Sequence, residues 1–172
     1  MTTILAIGSE FPDVGGYRFR VEQPTRGETF LWRSDAKPSE ASVDIREEIG
    51  EEANGEILVV MSVTGDASED AIRHFSSNHR RFAARVFAQP RVGPGDASLQ
   101  SDADACALAI HTKDLIRSAR SKYKARRTHL VLYAPASYCL FLGQRLNAVG
   151  DIITNERTAE GEYQESLTLK TG

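Results

Sequence analysis

Two short segments concentrate residues able to hold a small anionic ligand. The first is Ser62-Val63-Thr64-Gly65-Asp66-Ala67-Ser68, with three hydroxyls and one glycine in seven residues. The second is Tyr133-Ala134-Pro135-Ala136-Ser137-Tyr138, where an apolar run turns abruptly at a proline. Each reads as the junction between a strand and the helix that follows. The first N–H groups of such a helix lack intrahelical partners, and the helix dipole adds partial positive charge, so phosphate is a natural guest. Ser62, Thr64 and Ser137 would add hydroxyl donors. An ordinary strand-to-helix turn with its caps satisfied is the competing reading for both. Asp66 belongs to either one. With Glu69 three positions on, it has capping-box spacing; at a ligand mouth it would repel phosphate but could accept from a ribose hydroxyl or an adenine amino group. We assign it the capping role.

Other chemistry is sparse. The chain has no Walker loop, no G-x-G-x-x-G and no G-x-S-x-G elbow. His74, His79, His111 and His129 form no metal-binding or catalytic spacing, and neither Cys106 nor Cys139 has a visible activating base. Both cysteines lie in apolar surroundings and are expected as buried free thiols in a reducing compartment. A basic cluster, Arg117, Arg120, Lys122, Lys124, Arg126 and Arg127, gathers six of the 21 lysines and arginines into eleven positions. It is either a solvated helix end or a contact for an anionic ligand or partner. The formal net charge of −3 excludes a bulk polyanion binder. These features read as a binder more than as an enzyme.

The elements that must position these segments follow from hydropathy spacing. Residues 57–63 are apolar on both alternating faces and bounded by Gly55 and Gly65, as in a parallel-sheet strand covered on both sides. Ala71, Ile72 and Phe75 form the stripe of a helix opened by Asp66. Residues 82–88 and 129–134 read as strands and 90–103 as a loop. Residues 103–124 read as a helix, with Ala105, Leu108, Ala109, Thr112, Leu115, Ile116 and Ala119 on one face. Residues 135–149 read as a helix apolar nearly all round, buried within the fold or at an interface, and Gly143 would admit another backbone. Strands at 152–154 and 163–169 close the chain, the pair antiparallel. The N-terminal third predicts strands at 4–7, 17–21 and 30–32. From Pro38 it predicts a helix carrying Ala41, Ile45, Ile49 and Ala53, stopped by Asn54-Gly55.

At 172 residues, with 41% hydrophobic and 26% charged residues, the chain is expected to form one domain over 1–172. No apolar run approaches the ~20 residues that span a bilayer, and no basic leader opens the chain, so a cytoplasmic protein is expected.

Residues 129–137, then Leu142-Gly143-Gln144-Arg145-Leu146-Asn147, then residues 152–156 and 163–169, resemble the C-terminal signature of SAVED domains. That signature is a strand, an "A-A-P-A" helix start, an "L-G-R-x-L-N" helix and a closing strand pair. Residues 58–62 with Thr64-Gly65-Asp66 are similar to the family's preceding "L-S-x-S-G" segment. The resemblance covers roughly residues 57–169, while 1–56 match poorly, and Asn155 stands before Glu156 where the family often has tyrosine.

Strands alternating with helices from residue 57 onward predict an α/β, Rossmann-like layered fold, with a largely parallel sheet, helices on both faces and a C-terminal antiparallel strand pair; the resemblance implies that this fold is CARF-like. It implies a sensor of cyclic oligonucleotides in bacterial antiviral defence, CBASS or type III CRISPR. Such a sensor binds a cyclic oligoadenylate, tri- or tetra-, and relays it by forming oligomers or filaments to a separate TIR, nuclease or protease effector. Neither metal nor cofactor, membrane nor long nucleic acid is implied. On this chain the ligand is expected over the carboxyl edge of the sheet. Backbone N–H groups of residues 64–67 and 136–138 would face phosphates, with Gly65, Asp66, Pro135 and Ala136 at the rim. Tyr138 would stack on a base, and Arg145 or the pair Lys122 and Lys124 would supply charge. Too short for two complete CARF-like halves, the chain is read as a minimal form that completes its pocket with a second copy or a partner chain. The alternatives are a ring-opening nuclease and a structural subunit of a defence complex.

Overall fold

The run Ile57-Leu58-Val59-Val60-Met61 offers water no polar face, and it forms the middle of a six-stranded sheet. The computed structural model describes residues 1–25, 27–50 and 55–172. In chain order the elements are α1 (Thr2–Glu10), β1 (Arg20–Thr25), β2 (Glu28–Arg33), β3 (Val43–Ile49), β4 (Glu56–Ser62), α2 (Ser68–Ser77), β5 (Ala84–Pro90), α3 (Asp102–Tyr123), β6 (Arg127–Tyr133), α4 (Ala136–Arg145), β7 (Asp151–Arg157) and β8 (Tyr163–Lys170). A single 3-10 turn, Asp13–Gly15, follows α1.

The large sheet has the order β3-β5-β4-β6-β7-β8, and β1 and β2 form a separate antiparallel hairpin. The inner four strands are mutually parallel, while β3 and β8 pair antiparallel at the two edges. The sheet is therefore mixed: parallel through its centre, as expected, and antiparallel at both edges. The closing antiparallel pair was expected; β3 against β5 was not.

Odd and even residues of β4 serve two separate cores. Ile57, Val59 and Met61 pack with Leu130 and Ile152 against α3, α4 and α1, in a core that also holds Trp32 of the hairpin. Leu58 and Val60 pack with Phe87 and Val131 against Ala71 and Phe75 of α2. This two-sided covering is why the run carries no alternation. Among the described residues no helix is long and apolar enough to cross a membrane.

Several N-terminal expectations are corrected. Residues 4–7 belong to a helix, not a strand. Their apolar run suits either state, and α4 decides it: a Cβ on Gly8 would lie 2.3 Å from the Leu140 carbonyl oxygen, and one on Gly143 would lie 2.2 Å from that of Leu5. Two helices in backbone contact through paired glycines bury Leu5 completely. The strand expected at 17–21 begins only at Arg20, because Tyr17 turns back to pack edge-on against Phe11 at 5.3 Å between ring centroids. The helix expected from Pro38 is the edge strand β3. Ala41, Ile45 and Ile49 are four apart, which places them on one face of a strand as well as of a helix. Glu51, Glu52, Ala53 and Asn54, assigned to the end of that helix, lie outside the described residues. The helix expected over 135–149 ends at Arg145; Leu146 and Val149 are buried beyond it in irregular backbone, where Ala148 takes a φ of 58°. In contrast α3 starts one residue before its expected position, capped by the Ser101 side chain, which accepts the Asp104 N–H at 3.2 Å.

One polar cluster interrupts the α2 side. His129 of β6 is fully buried, its Nε2 2.9 Å from an Arg80 guanidinium nitrogen and 3.5 Å from a Glu56 carboxylate oxygen. With Nε2 accepting from Arg80, the proton of the neutral ring sits on Nδ1, which has no hydrogen-bond partner among the described residues and faces Glu165 at 3.9 Å. Burial, and then the Arg80 charge, push the imidazole below its ordinary 6.5. The unfolded chain therefore takes up a proton that the fold refuses, and stability falls as pH drops below 6.5. Urea midpoints measured against pH are expected to show this loss in the parent protein and a flatter slope in His129→Gln.

Candidate functional site

The chain runs from β4 outward to β5 through α2, then crosses back to β6 through α3 on the other face. Where strand order reverses this way, the two connections diverge and a crevice opens beyond the carboxyl ends of the strands. Here it opens beyond β4 and β6, whose last paired residues are Ser62 and Tyr133. Past that pair, the Val63 and Thr64 N–H groups both donate to the Tyr133 carbonyl, at 2.8 and 3.1 Å. The Thr64 hydroxyl donates to the same oxygen at 3.4 Å. The structure thus brings the two chemistry-bearing segments together at one crest.

At the first corner Ser62 points inward. Its Oγ accepts the Ala67 N–H at 3.0 Å and donates to Asp66 Oδ1 at 3.4 Å. Asp66 Oδ1 also accepts the Ser68 N–H at 2.8 Å. That amide first, with the Ser68 and Ser62 hydroxyls, holds the carboxyl below its ordinary range. Asp66 is thus a charged cap, placed one residue before the helix N-cap Ala67. Thr64 stands exposed. The Gly65 and Asp66 N–H groups donate to nothing among the described residues, whereas those of Thr64 and Ala67 are already engaged.

The second corner is largely covered. Pro135 and Ala136 are half-buried, but Ser137 and Tyr138 are buried. Ser137 Oγ donates to Gln23 Oε1 of β1 at 2.6 Å, so the hairpin lies over the start of α4. The Tyr138 hydroxyl shares a 2.8 Å hydrogen bond with Thr112 of α3, and burial raises its pKa. A ring enclosed in this way cannot stack on a base. Arg145 also lies inside, 8% exposed, donating to the Phe141 carbonyl at 2.8 Å and the Ser34 carbonyl at 2.9 Å.

Lys122 and Lys124 belong to the opposite edge of the sheet. The Arg126 and Arg127 N–H groups donate to Gly55, just before β4, which fixes the end of α3 at the amino edge of the strands. There Lys122 pairs with Glu47 of β3, which raises its pKa, and Lys124 ends α3 with a φ of 50°. Both cysteines are buried free thiols; burial pushes Cys139 up to about 12 and raises Cys106.

Among the described residues a groove of about 430 Å³ adjoins the first corner at Asp66 and Ser68, and two further hollows flank the crest. A cleft of about 230 Å³ is lined by Thr25, Trp32, Thr64, Asp96, Leu99 and Pro135. A groove of about 180 Å³ lies between Thr2, Tyr133, Thr154, Asn155, Glu156 and Arg157. Glu156 closes one wall of the groove by accepting the Thr2 N–H at 2.8 Å. Tyr133, half exposed, is the aromatic residue that sequence reasoning passed over in favour of Tyr138. Its signal was its position, one residue beyond the last apolar residue of a strand at a predicted crest. Thr25 and Trp32 carried no such signal, because the hairpin reaches the site only through tertiary packing.

Comparison with curated proteins finds no match. Among solved structures, the fold is similar to the Cap4 SAVED/CARF-domain containing receptor of Acinetobacter baumannii, determined with the cyclic trinucleotides 3'3'3'-cAAA and 2'3'3'-cAAA. Both comparisons give a TM-score of 0.79 at 19% identity. The Cap4 receptor of Moraxella osloensis gives 0.60 at 20% identity. The alignments cover 98% and 99% of this chain but only 36% and 34% of those receptors, so the chain spans about a third of their length. At this identity the likeness is one of fold.

The profile of the SMODS-associated and fused to various effectors sensor domain matches residues 1–169. The match includes residues 1–56, where the motifs alone showed little resemblance. On that match the chain belongs to the SAVED family of sensor domains.

Proposed function

We propose that the protein senses a cyclic oligonucleotide in antiviral defence, binding a cyclic oligoadenylate of three or four nucleotides across the crest of β4 and β6. One observation carries the reading: at the point of strand-order reversal Gly65, whose amide donates to nothing among the described residues, lies against the Tyr133 ring, and Thr64 lines a cleft with Pro135. The receptor of Acinetobacter baumannii with this fold holds cyclic trinucleotides, which supports the ligand class. Phosphates face the Gly65 and Asp66 amides, and Asp66 accepts from a ribose hydroxyl or base amino group; the Thr64 hydroxyl, whose proton goes to the Tyr133 carbonyl, can offer the ligand only an acceptor. Ser137, Tyr138, Arg145, Lys122 and Lys124 have no part in the contact, for the reasons of burial and position given above.

The site binds without chemistry, and residues 1–172 act as one unit in the cytoplasm. Both hollows open to solvent, so the ring is enclosed when a second copy or a partner chain covers the crest. That assembly relays the signal to a TIR, nuclease or protease effector.

A thermal-shift screen with cyclic di-, tri- and tetranucleotides tests the proposal. A ligand at a hundred times its dissociation constant adds about 2.7 kcal/mol to stability, a plain rise in melting temperature. No shift with any member of the panel overturns the reading. Light scattering with and without the shifting ligand reports assembly, and chromatography of the recovered ligand reports whether it stays cyclic.

A further inference from the structure

At the crest, Tyr133 and Gly65 are built as a pair. A Cβ placed on Gly65 would lie 2.2 Å from Tyr133 Cε1, 2.8 Å from Cδ1 and 3.3 Å from Cζ. The tyrosine ring therefore lies directly on the glycine backbone. Gly65 is not among the residues with positive φ, so the backbone there suits any residue. Glycine stands at this position for space alone.

The Tyr133 main chain is fixed as well, with its carbonyl accepting from the Val63 N–H, the Thr64 N–H and the Thr64 hydroxyl. Yet the residue is 50% exposed and lines the 180 Å³ groove. A large ring held on one side by backbone and open on the other is a platform. Burial does not explain it, and Trp32 in the neighbouring cleft is only 4% exposed.

We infer that Tyr133 is the surface on which one base of the ligand stacks, and that Gly65 is the positioning residue that sets the ring. The inference rests on the proposed function above and assigns the base-recognising residue of that site. A stacked base gains from any aromatic face and needs no specific edge contact, so Tyr133 supplies affinity more than base identity.

Titration calorimetry with 3'3'3' cyclic triadenylate tests it on four proteins: the parent, Tyr133→Ala, Tyr133→Phe and Gly65→Ala. Tyr133→Ala is expected to weaken binding about tenfold or more, the range of one base–aromatic stack. Tyr133→Phe keeps the ring and is expected to recover the affinity that alanine loses. Gly65→Ala, which adds one methyl beneath the ring, is expected to weaken binding as Tyr133→Ala does while the melting temperature stays near that of the parent. Tyr133→Ala binding within twofold of the parent overturns the inference, as does Tyr133→Phe losing as much as alanine. A parent protein silent toward the whole cyclic nucleotide panel is a different result: it removes the functional reading itself.

Discussion

Replacing Gly143 by valine is expected to lower the free energy of unfolding by about 3 kcal/mol, the upper part of the range for an overpacked contact. At this position α1 and α4 touch backbone to backbone. Even a Cβ would lie 2.2 Å from the Leu5 carbonyl oxygen and 3.0 Å from the Gly8 Cα, and neither is a side chain that can rotate away. The helices must separate, exposing Leu5 and the facing surface of α4. Gly8→Ala tests the same contact from the other helix, since its Cβ meets the Leu140 carbonyl at 2.3 Å. Urea denaturation measures the loss. Limited proteolysis is expected to show cleavage within residues 1–11 in both variants and not in the parent. Because Thr2 donates to Glu156 across the 180 Å³ groove, a displaced α1 also opens that wall of the site.

The second large effect is at Tyr138. Tyr138→Ala is expected to destabilise the protein by about 4 kcal/mol, as for other fully buried aromatic side chains. The ring is completely buried, and its loss also strands the Thr112 hydroxyl inside the core. Tyr138→Phe keeps the ring and removes only the hydrogen bond, at a cost of about 1 kcal/mol. The pair of variants separates the packing of the ring from its hydrogen bond. Urea melts should show the graded loss, and Tyr138→Phe is expected to bind cyclic triadenylate as the parent does. Weakened binding by a stable Tyr138→Phe would return the Tyr138 hydroxyl to the site.

These two helices show where sequence reasoning carried and where it failed. Strand β4 and helix α3 were legible because each pattern admits one solution. A two-sided apolar run must lie inside a sheet, and the spacing of Ala105, Leu108, Thr112 and Leu115 fits only a helix. Segments 4–7 and 41–49 were not legible, because a four-residue run or a spacing of four satisfies strand and helix alike. For α1 the decision came from Gly8 meeting Gly143, residues far apart in the chain. For β3 it came from an open sheet edge beside β5, where Arg46 can stack on the Phe87 ring at 4.5 Å and Ile45 and Ile49 are tolerated in solvent.

The candidate site divides along the same line. Composition, turn chemistry and the order of strands and helices determined that Ser62–Ser68 and Tyr133–Tyr138 would lie at strand ends, because a strand followed by glycine or proline and then a helix has little freedom in where it turns. Which side chains at those corners meet solvent was decided only in three dimensions. The hairpin laid Gln23 over Ser137, α3 enclosed Tyr138, Ser34 drew Arg145 inward, and Gly65 left room for the Tyr133 ring. Local sequence fixes backbone direction through short-range sterics and hydrogen bonds. Exposure depends on partners that arrive from elsewhere in the chain, and a single sequence does not name them.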